Sequence, residues 1–273
     1  MKVIAGFKGN TLSANKLLVL VSGTLFYVLA VGQFIFAYYT LVFYGRSSIE
    51  GHFEKWNKVM PTGLIDGDIV GNLMLAIHLF LAVVITVGGP VQLMPWVRNN
   101  FRTFHRGLGR IYIITAFMAS ISGLYMIATR DTLGGIPLKL ANTLDAILIM
   151  SFAVLALRTA RQRKFALHRK WTLRLFVVVS GVWFIRVWYG FCRLVSEGKI
   201  PGSAPNLEGI TNILIGFGSY LLPLFLLELF FMAQKRRDNG FSLLVFGLLL
   251  VFMVIMAMGI FSFSKVWFYR LTI

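Results

Sequence analysis

LLVLVSGTLFYVLAVGQFIFAYYTLVFY, residues 17–44, contains no charged side chain. An α-helix needs ~20 apolar residues to cross the hydrocarbon core of a bilayer. A helix of a soluble domain would carry charge along its outer face. The run therefore predicts a transmembrane helix. Lys2, Lys8 and Lys16 precede it, the charge order of a secretory leader. The stretch exceeds the ~7–15 residues of a leader's apolar region, and no small-x-small cleavage pattern closes it. It is expected to be a retained first helix.

The same pattern recurs along the chain. Apolar segments at 70–97, 110–129, 137–157, 172–195, 210–233 and 241–263 complete a set of about seven predicted transmembrane helices. The fold class expected is an all-α integral membrane protein. Residues 1–273 form a single polytopic domain, with helices two to five, residues 70–195, as a four-helix bundle core. The longest connection, Gly45 to Ile69, carries both charge signs with Trp56 and Pro61, and suits a short amphipathic surface helix.

Lys and Arg sort by side. Seventeen collect at the N-terminus, in the 98–110 and 158–174 loops and at Lys235, Arg236 and Arg237; eight lie on the other face with seven of the ten acidic residues. Cytoplasmic connections retain positive charge, so the N-terminus is expected in the cytoplasm and the C-terminus in the periplasm of a bacterial inner membrane. The net charge of +17 is thus read as topology-setting. No basic domain stands clear of the apolar segments to meet nucleic acid. The single cysteine, Cys192, excludes an intrachain disulfide and a thiol-pair redox site.

Helix two carries Gly88-Gly89-Pro90 and Pro95, which predict a kink or break. With Gln92 this segment either lines a cavity or marks a packing kink filled by a neighbouring helix.

Two hairpins look alike. Helices two and three join through Phe104-His105-Arg106 with Arg110 following, and helices four and five through Leu167-His168-Arg169 with Arg174 following. The histidines are 63 residues apart and expected at one cytoplasmic depth. Two neutral imidazoles facing each other suit the axial positions of a b-type haem iron or another transition metal, and arginines suit haem propionates. A quinone head, phosphate or anionic lipid bound by the same Arg/His cluster is the competing reading. So are interfacial residues that only set topology and cap helices.

Deeper in the bilayer, His78, Asp145 and Arg186 fall at similar depth in helices two, four and five. Ionisable groups there are costly unless paired. Asp145 and Arg186 are therefore expected to form an ion pair with His78 nearby. Glu228, in the inner half of helix six, is expected to reach Lys235 or Arg236. His52, within Glu50-Gly-His-Phe-Glu54, reads as solvated surface. No nucleophile elbow, phosphate loop, dinucleotide fingerprint or His-Glu metalloprotease motif is present. The sequence assigns no enzymatic reaction.

Taken together, His78, GGPVQLMPWVR (88–98), HRGLGRIY (105–112), Ser122-Gly123, HRKWTLR (168–174) and Arg186 resemble an uncharacterised prokaryotic membrane family called domain of unknown function 2306. The resemblance covers helices two to five, about half of the chain. It implies a multi-pass bacterial membrane protein and no particular activity. The several-histidine bundle is also similar in architecture to membrane cytochromes b. It departs from a two-haem arrangement because His78 has no histidine partner at its depth.

The leading expectation is a redox or electron-transfer protein holding one haem b. His105 and His168 would be the iron ligands, and His78, Arg106, Arg110, Arg169, Arg174 and Arg186 would contribute to the cofactor site. A transporter-like or lipid-binding protein is the alternative. A non-catalytic subunit or assembly factor that docks a membrane-protein partner is the third.

Overall fold

The computed structural model describes residues 13–60, 63–130, 133–236 and 238–272. Lys2, Lys8, Pro61 and Arg237 lie outside them. Nine α-helices and no strand occur among the described residues: α1 (Ala14–Ile49), α2 (Ile69–Leu93), α3 (Pro95–Asn100), α4 (Arg102–Thr129), α5 (Gly135–Arg161), α6 (Phe165–Val179), α7 (Gly181–Val195), α8 (Ile210–Arg236) and α9 (Asn239–Arg270). Six are long and apolar enough to cross a membrane. The bent pair α6/α7 brings the candidate spans to seven when it is counted as one. This is an all-α multi-pass membrane protein, as the apolar runs require. Helices satisfy every backbone group internally where no water can.

The spans run further than their apolar cores. The α4 helix starts at Arg102, eight residues before the segment predicted to begin at Arg110, so His105 lies in its first turn. A 3₁₀ turn, Phe53–Lys58, takes the place of the surface helix expected in the α1–α2 connection, and it buries Trp56. The Trp56 indole N–H donates to Ser47 Oγ at 3.0 Å.

Helix two does not break where its glycines and proline suggest. Pro90 sits inside α2, and Gly88, Gly89 and Pro90 are all buried. A Cβ on Gly89 would stand 3.0 Å from the Phe176 ring and 3.2 Å from the Tyr112 hydroxyl. The glycines admit the side chains of Phe176 and Tyr112, as in a packing kink filled by neighbouring helices. The chain turns only at Met94, which is extended (ψ 122°) because Pro95 follows it.

The sharp bend lies in the fifth span, where α6 and α7 meet at 54°. Ser180 Oγ donates to the Phe176 carbonyl at 2.7 Å and accepts from Gln33 Nε2 at 2.7 Å. A serine bonded back to the carbonyl four residues earlier bends a helix, and Gln33 of α1 holds that serine in place. The bend decides the packing. The first half, α6, lies against α5, and the second half, α7, lies against α9. Around the arginine-rich end, formed by the α2–α4 and α5–α6 connections, the helices α2, α4, α5 and α6 surround a small core of Ile85, Tyr112, Ala153 and Leu175. The larger core joins α1, α7 and α9 through Trp183, Phe184, Val187, Phe252, Met256 and Trp267.

Candidate functional site

His105 and His168 each occupy the first turn of a helix at the arginine-rich end. The His168 Nδ1–H donates to the Ala156 carbonyl of α5 at 2.9 Å. A carbonyl only accepts, so Nδ1 carries a hydrogen and the neutral ring leaves Nε2 with a free lone pair. The backbone of His105 is fixed by Gln92, whose Nε2 donates to the His105 carbonyl at 2.9 Å. Its Nδ1 is enclosed and has no hydrogen-bond partner. The hairpin symmetry read from the sequence thus corresponds to two helix starts, of α4 and α6, at the same end of the bundle.

The arginines divide. Arg106, Arg110 and Arg169 are exposed beside the pair, and none has a carboxylate partner among the described residues. Arg174 turns away. Its guanidinium holds both carboxylate oxygens of Glu228 on α8, at 2.5 and 2.9 Å, and stacks 4.4 Å from the Trp171 ring centroid. Glu228 is therefore paired with Arg174, and not with Lys235 or Arg236, the partners that sequence proximity led one to expect. The α6–α8 contact offers it a nearer cation, and Arg236 lies over Phe241 instead.

His78 and Arg186 lie in the other half of the molecule. The His78 Nδ1–H is shared between the Ala119 carbonyl and Ser122 Oγ, both at 3.1 Å, and Gly123 leaves room for its ring 3.5 Å away. Ser122 and Gly123, which share the sequence motif with His78, are thus its immediate surroundings.

The expected Asp145–Arg186 ion pair does not form. Arg186 donates to the Val182 carbonyl of its own helix at 2.7 Å and lies 5.1 Å from the Phe36 ring centroid, facing α1. Asp145 is 7% exposed, and its Oδ1 has no partner. Its other oxygen fills the space in front of Gly181, 2.6 Å from where a Cβ would stand. The two groups share a depth but not a direction, because the bend at Ser180 turns α7 away from α5. The Asp145 carboxyl instead meets the start of α7, the positive end of that helix's dipole.

His52 is exposed and faces Glu54 at 2.9 Å, the solvated arrangement expected. No group of three or more His, Cys, Asp or Glu side chains able to hold a metal ion occurs among the described residues. Sequence reading missed Gln33, whose partner lies 147 residues away. It also missed the Asp68–Arg130 contact described below. A polar residue amid an apolar run was the only signal for Gln33.

No curated protein and no solved structure matches the chain. Residues 75–203, just under half of the chain and spanning α2 to the segment after α7, match the model of the family described as Predicted membrane protein (DUF2306), the family that the histidine motifs resemble.

Proposed function

We propose that the arginine-rich end binds a single b-type haem between His105 and His168, and that the protein serves one-electron transfer at the cytoplasmic face of a bacterial inner membrane. The observation that supports this reading is the placement of His105 and His168 in the first turns of α4 and α6 at one end of the bundle, with the His168 ring oriented by the Ala156 carbonyl. A backbone acceptor on one ring nitrogen fixes the tautomer and points the other at a metal. Two histidines alone are too few for a bare ion, and no third protein ligand joins them among the described residues. A macrocycle would supply the remaining four nitrogens, leaving two axial positions for the protein.

The charge balance supports the same choice. A bare cation among Arg106, Arg110 and Arg169 would be repelled, whereas haem brings two propionates that guanidinium groups bind bidentately. Arg174, committed to Glu228, and His78 and Arg186, in the other half, take no part. The cytoplasmic placement follows from the seventeen-to-eight Lys/Arg asymmetry.

The test is the haem content of protein purified from haem-replete cells, measured as the pyridine haemochrome. The reading predicts close to one haem per chain, falling severalfold in His105→Ala and His168→Ala. Wild-type protein without haem would refute it.

A further inference from the structure

The half of the molecule opposite the arginine-rich end holds a cluster made almost wholly of cations and hydrogen-bond donors. Trp267 of α9 is fully buried, with its ring stacked on Tyr39 of α1 at 6.1 Å and set against Phe36 at 5.0 Å. Arg186 of α7 covers the other side of Phe36. Arg270, in the last turn of α9, completes the group. Arg270 stands one turn beyond Trp267 on the same helix, on the side of the Tyr39 hydroxyl.

Among the described residues neither arginine has a carboxylate within 4 Å, and the one side-chain hydrogen bond of Arg186 runs to its own helix. The Trp267 indole N–H is enclosed without an acceptor, and the buried Tyr39 hydroxyl faces Arg270 and Tyr44 without closing a well-formed hydrogen bond. Nearby, the His78 Nδ1–H is already used by Ala119 and Ser122. Cations in a membrane interior persist where something neutralises them, and unpartnered buried donors carry a desolvation cost.

We propose that this cluster is an oxyanion site that takes a phosphate group, with Arg186 and Arg270 as the charged clamp and Tyr39 and Trp267 as neutral donors. Two guanidinium forks match the several oxygens of one phosphate. The last turn of α9 places Arg270 where a lipid headgroup phosphate or a free phosphate ion can arrive. The site is separate from the histidine pair and stands whether or not haem binds there.

The experiment uses the full purified chain and reads thermal unfolding by tryptophan fluorescence. One arm adds inorganic phosphate against chloride at equal ionic strength in detergent. The other compares nanodiscs of phosphatidylglycerol with nanodiscs of phosphatidylcholine. At least one arm is expected to raise Tm by about 2 °C or more, with at least half of the rise lost in Arg270→Gln. A response to phosphate identifies a free anion as sufficient, and a response to phosphatidylglycerol alone identifies a lipid headgroup. Should Arg270→Gln fail to fold, Arg270→Lys, which keeps the charge and loses the fork, is expected to show a reduced rise. No rise in either arm, or a rise unchanged in the arginine variants, would overturn the proposal.

Discussion

Arg130 closes the end of α4 with a side chain that is only 4% exposed. Its guanidinium donates to Asp68 Oδ2 at 3.0 and 2.8 Å, to Asn72 Oδ1 at 2.8 Å and to the Gly63 carbonyl at 2.7 Å. Asp68 also caps α2 by accepting from the Gly71 N–H at 2.9 Å. Arg130 and this cap hold the Asp68 carboxyl below the usual carboxylate range. A depressed value in the folded state means stabilisation that is present above the unfolded value of ~3.9. It is lost as pH falls through the folded value. Asp68→Asn is therefore expected to lower Tm at pH 7, and the gap from wild type is expected to close below about pH 4. Melting curves of both proteins across pH check this. A gap independent of pH would mean that the charge is not what Arg130 requires.

Asp145 calls for a different outcome. With no cation against it, Asp145→Asn is expected to leave Tm unchanged or to raise it. Its effect should add to that of Arg186→Met within about 0.5 kcal/mol, as for groups that do not touch. A double variant that recovers the loss of a single one would restore the ion pair expected from the sequence. Depth was legible in the sequence, because residue count along a helix fixes it. Direction was not, because it depends on the bend at Ser180, which nothing in Val179-Ser180-Gly181 announces as strongly as Gly88-Gly89-Pro90 announces a break that is absent.

At the scale of elements, α7 and α9 cross at two glycines. A Cβ on Gly190 would run into the Gly259 carbonyl, and one on Gly259 into the Val187 carbonyl. Small residues let membrane helices approach this closely, where packing replaces the hydrophobic effect as the source of association. Gly190→Ala and Gly259→Ala are each expected to destabilise by about 1–3 kcal/mol, the usual cost of overpacking. The double variant should lose less than the sum, since one displacement of α7 relieves both clashes. Gly247→Ala, on α9 with nothing within 4 Å, is the control and should unfold like wild type. The apolar runs gave the number and order of spans, because a bilayer imposes length and hydropathy on each separately. They did not give the partner of each half of the fifth span, which depends on a contact between Gln33 and Ser180 across 147 residues.

For the molecule as a whole, seven spans would put the two ends of the chain on opposite sides of the membrane. An alkaline phosphatase fusion is expected to be active at the C-terminus and inactive at the N-terminus, and the reverse would invert the assignment. With that orientation the histidine pair faces the cytoplasm and the Arg186–Arg270 cluster faces the periplasm. The shared position of the two histidines, each at a helix start, was legible because the two hairpins repeat one local pattern. The opposite cluster was not, because Tyr39, Arg186 and Trp267 come from three spans with no common motif.

The reduced-minus-oxidised visible spectrum of the purified protein tests the central claim most directly, read beside those of His105→Ala, His168→Ala and His78→Ala. Sharp α and Soret bands of a six-coordinate b-type haem are predicted for wild type and His78→Ala, and their loss or broadening for the other two. A featureless wild-type spectrum, or bands that survive replacement of both His105 and His168, would contradict the assignment.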